Sequence, residues 1–153
     1  MVATMTSSDF PWPVTDPYIV ERTAGDADID EFGHVNNVRY IDWAMALAWA
    51  HSQSVGMPFA AYEKLGAGFV VWRHEFDYLR PLLPGETAAI ATWIAENDQR
   101  VRIVRGFEFR RIDDGEPLLR GRTRMVSVDL ASGKPMRMPP AFVEAYPAAT
   151  LRT

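Results

Sequence analysis

The spacing of hydrophobic and polar positions changes along the chain, and each change of period predicts an element. Tyr18–Thr23 (Tyr-Ile-Val-Glu-Arg-Thr) reads as a short strand. An acidic loop punctuated by glycine follows, over residues 25–33. Residues 34–54 have helical length, with Asn36 and Asn37 suited to the first turn and Gly56 and Pro58 to the end. Past Asp42 this segment is apolar on nearly every side, from Trp43 through Ala50, which predicts a buried helix that other elements wrap.

The remaining chain reads as strands. Trp72, His74, Phe76 and Tyr78 alternate with Arg73, Glu75 and Asp77, the pattern of a half-buried strand. Residues 81–85 turn the chain into a second run over 86–95, and residues 96–99 turn it into a third over 101–112. Asp113-Asp114-Gly115-Glu116 is a hairpin signal before a fourth run, 118–128. Ser132-Gly133-Lys134-Pro135 turns again, and Pro139 and Pro140 open a short helix toward Tyr146. The order β-α-β-β-β-β predicts an α+β domain, an antiparallel sheet wrapped around one long central helix. Residues 1–16, rich in Ser, Thr and Pro, read as a flexible lead-in, 17–146 as the single domain and 147–153 as a tail.

Composition narrows the function classes. The 153 residues are 48% hydrophobic and 24% charged, with net charge −4, which is ordinary for one soluble globular domain. An excess of acid over base argues against a nucleic-acid binder. No long apolar run suggests a membrane span, and residues 1–13 do not resemble a signal peptide, so a cytoplasmic location is expected. All cations except Lys64 and Lys134 are arginine, a side chain that grips phosphate with a fork. Without cysteine there is no thiolate nucleophile or disulfide. His34, His51 and His74 show no ligand spacing, so neither metal nor cofactor is expected.

The chemistry concentrates in residues 26–40. Asp26, Asp28 and Asp30 alternate ahead of Gly33, His34 and a helix start. A helix N-terminus offers unpaired N–H groups and partial positive charge for a developing oxyanion. A carboxylate beside it can attack a carbonyl or activate water. A plainer reading stays open on the same residues: aspartates before a helix are commonly caps, Gly33 permits a tight turn, and Tyr40 and Trp43 belong to a core.

The segment Asp28-x-Asp30-x-x-Gly33-His34-Val35-Asn36-Asn37-x-x-Tyr40 resembles the signature of the 4-hydroxybenzoyl-CoA thioesterase-like family of hotdog proteins. Arg73 through Leu82 with Pro84-Gly85-Glu86, and Val126-Ser-Val128-Asp129 with Ser132-Gly133-Lys134-Pro135, extend the likeness over residues 18–140. The resemblance implies an acyl-CoA thioesterase in which Asp30 is nucleophile or general base. Backbone N–H groups of the Gly33–Asn37 turn, Asn37 foremost, would form the oxyanion hole, with His34 beside them. It further implies an acyl-CoA substrate handled near Asn36, Tyr40 and Trp43, and self-association as a homodimer or a dimer of dimers.

For the CoA end, Arg120, Arg122 and Arg124 share one strand face and could meet phosphates, as could Arg80. The same three arginines equally suit a solvated face beside Glu75 and Asp77. Rival readings are a thioesterase for acyl-carrier-protein substrates and a non-catalytic acyl-CoA-binding protein. Retention of Asp30 favours the enzyme.

Overall fold

The computed structural model describes residues 6–153. Residues 1–5 of the expected lead-in lie outside the described residues. Five strands form one antiparallel sheet: β1 (Tyr18–Thr23), β2 (Ala67–Tyr78), β3 (Thr87–Asn97), β4 (Arg102–Arg111) and β5 (Pro117–Asp129). Their spatial order is β1-β3-β4-β5-β2, so β1 and β2 are the edges. Helices α1 (Asn37–Ser54) and α2 (Phe59–Leu65) lie between β1 and β2 in the chain, and α3 (Pro140–Ala145) follows β5. This is the predicted β-α-β-β-β-β order with α2 added.

Tight turns hold the meander together. Asp98 accepts three successive N–H groups, from Arg100, Val101 and Arg102, which folds β3 back onto β4. Gly115 adopts φ +72° at the β4–β5 hairpin, where a side chain would be strained. Register shifts at Val71/Arg73, Ile94/Glu96 and Phe109/Arg110 mark bulges, which add twist and let the sheet curl over the helix.

One face of the sheet takes α1. Tyr40, Trp43, Ala44 and Leu47 recur at helical spacing and pack on Ile90, Phe107, Phe109 and Leu119. The helix is therefore buried along one stripe rather than on all sides. Val38 is 61% and Trp49 42% exposed, because a single five-stranded sheet covers only the side it curls against. Helix α1 also begins at Asn37 rather than His34. Asn36 is extended (φ −62°, ψ 137°) and its Oδ1 accepts the Val38 N–H at 2.9 Å, so the side chain caps the helix.

Other differences have equally local causes. Pro58 precedes α2, and Gly66 ends it in the left-handed region at φ 68°, which allows β2 to begin at Ala67 rather than Trp72. Being an edge strand, β2 is mostly exposed instead of half-buried; Trp72 sits at the bulge. The expected loose lead-in is anchored from Phe10 onward: Phe10, Trp12 and Val14 are buried against the outer sheet face near Ala89 and Ala91. Val14 bridges to Leu151 and Arg152 N–H donates to Pro13, so lead-in and tail pair with each other. Among the described residues no helix is long and apolar enough to cross a membrane.

Candidate active site

The acidic loop folds into a miniature hairpin directly ahead of α1. Asp30 N–H donates to His34 O at 3.0 Å, Gly33 N–H to Asp30 O at 3.0 Å, and Ile29 bridges to Val35. Gly33 sits at φ +84°, the conformation this turn needs and a side chain resists. Val35 N–H donates to Leu82 O, which pins the hairpin against the turn before β3. The aspartates do not share one site. Asp28 accepts from Gly25 N–H and lies 3.8 Å from Arg39, Asp30 accepts from Phe32 N–H at 2.9 Å, and Asp26 is exposed. Asp30 is half-buried, opposite His34 on the hairpin.

The helix start leaves one donor free. Asn36 binds its own cap partner, Val38 N–H, and its carbonyl takes Arg39 N–H. Asn37 N–H, the first of α1, donates to no group among the described residues. Asn37 itself lines a cleft of about 190 Å³, together with His34, Tyr40, Tyr78, Arg80 and their chain neighbours. Tyr78 closes one side by donating its hydroxyl to Asn37 O at 3.2 Å, and its ring lies 5.7 Å from that of Tyr40. Burial raises the Tyr40 hydroxyl pKa, with the Leu82 backbone pulling the other way; burial also raises Tyr78. Both therefore remain neutral near pH 7. Arg80 stands exposed at the mouth, 3.1 Å from Glu116.

Four of the residues singled out by sequence thus meet at one cleft: His34, Asn37, Tyr40 and Arg80. Asp30 and Gly33 belong to the hairpin beside it, and Asn36 is committed to capping. Trp43 is 2% exposed, packed under Tyr40 and covered by Arg22, which is the core placement. Arg120, Arg122 and Arg124 lie on the opposite, outer sheet face. There they pair with Glu108 (2.8 Å), Glu96 (3.2 Å) and Glu75 (3.4 Å). Within this chain they do not gather at the cleft. Tyr78 was legible as a strand residue but not as a wall of the site, since only the strand order brings β2 against the helix start.

A second polar centre escaped the sequence reading. Arg105 projects from β4 on the helix side, among Ile103, Phe107 and Phe109, and is 4% exposed. Its Nη1 meets His51 Nδ1 at 2.9 Å and Thr92 Oγ1 at 3.3 Å. Burial lowers the Arg105 pKa to about 10, still cationic near neutrality. Burial, then the Arg105 charge, lowers His51 to about 4, so His51 is neutral there. Ser52, Tyr62 and Tyr146 share a hydroxyl chain close by. An arginine on an otherwise apolar strand face was the available signal.

The match to known proteins covers both centres. The model of the thioesterase-like superfamily matches residues 25–146. A Synechocystis sp. protein carrying an esterase name is 31% identical over 117 residues, 76% of this chain and 70% of that one. A Bacillus subtilis protein carrying an acyl-CoA thioesterase name is 29% identical over 122 residues, 80% of this chain and 87% of that one. In fold, a 1,4-dihydroxy-2-naphthoyl-CoA thioesterase from Synechocystis superposes with TM-score 0.76 at 18% identity, over 85% of this chain and 95% of its own. The chain belongs to the thioesterase-like superfamily and is a hotdog-fold thioester hydrolase.

Proposed function

We propose that this chain hydrolyses acyl-CoA thioesters at the cleft beside the start of α1. The observation that carries the reading is the free N–H of Asn37, a residue that lines that cleft, with the Asp30 hairpin alongside. The thioester carbonyl oxygen takes the Asn37 N–H, where the positive end of α1 stabilises developing negative charge. Asp30 either draws a proton from attacking water as the CoA thiolate departs, or attacks the carbonyl carbon itself and expels the thiolate. The second route leaves a mixed anhydride that water then cleaves to the free acid and the regenerated carboxylate. His34 and Tyr40 shape the walls, and Arg80 at the mouth meets a nucleotide phosphate.

Self-association fits the same picture. The edge strand β2 exposes Val70 (49%), Val71 (37%) and Trp72 (56%) beside unpaired backbone, the surface a second copy would cover by extending the sheet. A pair of such dimers is the larger assembly expected.

Thiol release from short, long and aromatic acyl-CoAs, with wild type beside Asp30→Asn, tests the reading. Turnover lost in the folded mutant supports it, and unchanged turnover removes Asp30 from the mechanism. Release from an acyl-carrier-protein thioester alone would move the substrate to the carrier protein. Binding of acyl-CoA without release would leave a binding protein. Arg120, Arg122 and Arg124, changed together to Gln, separate the two candidate phosphate contacts. A raised KM would bring the outer face into CoA binding, and an unchanged one leaves that part to Arg80.

A further inference from the structure

The Arg105 centre opens on a cleft of its own. A cavity of about 120 Å³ lies between α1, β2, β4 and β5, lined mainly by apolar groups that include Met45, Trp49, Phe69, Val71 and Met125, with Arg105 as its cation. Only the Nη1 of Arg105 has hydrogen-bond partners; Nε and Nη2 have none among the described residues. None of the ion pairs among those residues includes Arg105. A buried guanidinium without a carboxylate is costly, and core residues of the same volume would fill the place more cheaply. The ligand that answers it is an apolar chain ending in a carboxylate, which fits the lining and binds the free edge of the guanidinium through charge-assisted bonds.

The position suits the far end of a substrate. Met45 and Ser52 lie about 12 and 22 Å along α1 from Asn37, at 1.5 Å per residue. Between the two clefts, Tyr78, Phe76 and His74 occupy the helix-facing side of β2, at 2-residue spacing. An acyl chain leaving a thioester at Asn37 would follow α1 past these three side chains to reach Arg105.

We propose that the Arg105 cleft is a carboxylate subsite and that the enzyme acts on long acyl thioesters bearing a carboxylate at the far end of the chain. This assignment of substrate class rests on the thioesterase reading above; the subsite itself does not. Two measurements separate them. The first is hydrolysis of an ω-carboxyacyl-CoA against the unsubstituted acyl-CoA of equal length, by wild type, Arg105→Met and Arg105→Lys. Wild type is expected to prefer the ω-carboxy substrate in kcat/KM by about tenfold or more, the size of one charge-assisted bond. Arg105→Met should erase the preference, chiefly through KM, and Arg105→Lys should restore part of it.

The second is thermal stabilisation of the same proteins by an α,ω-diacid, a monocarboxylic acid and a primary alcohol of that length. If no CoA thioester is cleaved, stabilisation by the acids over the alcohol that depends on Arg105 still supports the subsite, while the thioesterase reading falls. Stabilisation by the monoacid equal to that by the diacid, without the kinetic preference, would make the ligand a free fatty acid and overturn the substrate class. Equal responses to acid and alcohol in wild type would overturn the subsite. Should Arg105→Met fail to fold, the wild-type discrimination and the Arg105→Lys response decide.

Discussion

Asn37→Pro deletes the proposed oxyanion donor and almost nothing else. Asn37 is the first residue of α1, a position proline favours because its missing N–H would have no helical partner. Asn36 already has the extended backbone (φ −62°, ψ 137°) that a residue before proline requires. The Asn36 cap to Val38 N–H stays in place, as does the Asn37 carbonyl that accepts from Tyr78. No hydrogen bond is lost in the folded protein, because Asn37 N–H makes none among the described residues. Folding stability should therefore change by less than about 1 kcal/mol, or roughly 2–4 °C in Tm for a chain of this size. Loss of one oxyanion donor costs about 10²–10³ in kcat, near 2.7–4 kcal/mol of transition-state stabilisation. Thiol-release kinetics on Asn37→Pro beside Asn37→Ala, which keeps the N–H, isolate the backbone donor. A proline variant that melts with the wild type and retains its kcat would refute the assignment. Equal losses in both variants would shift the role to the side chain.

Three further outcomes concern what holds the site in place. The His51 pKa falls from 6.5 to about 4 on folding, so the unfolded chain takes the proton first and stability declines as pH drops from about 6.5 toward 4. Because the imidazole is part-exposed, screening holds the decline from this residue to about 1–2 kcal/mol, and urea unfolding of wild type and His51→Gln at pH 7 and pH 4.5 should show it only in wild type. In Gly121→Ala the new Cβ would overlap the Phe76 ring and come within 3.2 Å of the Glu75 carbonyl oxygen. A loss of about 1–3 kcal/mol is expected in the same assay, and an unchanged midpoint would mean that the ring moves freely. Trp12→Ala removes a side chain only 1% exposed, stacked 5.6 Å from the Arg110 guanidinium. It should cost about 3–5 kcal/mol; a negligible change would return the lead-in to a loose segment.

Much of this protein was determined by local sequence. Turn chemistry at Asp98, Gly115 and Gly133, with alternation over residues 72–78 and strand-forming runs after it, suffices to predict the succession of antiparallel strands along the chain. A turn's dihedral demand and a strand's period are properties of a few adjacent residues. The same holds for the acidic hairpin and helix start, where Gly33 and Asn36 act on neighbours within three positions. Tertiary structure decided which face each element presents. Strand order put β2 at an edge, leaving Trp72 and Val71 exposed, and brought Tyr78 to the helix start. It also sent Arg120, Arg122 and Arg124 to the outer face, where cross-strand glutamates compete for them, and left Arg105, on the other face, without a carboxylate. All four are strand arginines of the same charge. What differs is the set of distant side chains that packing places beside them, and no window along the chain contains that information.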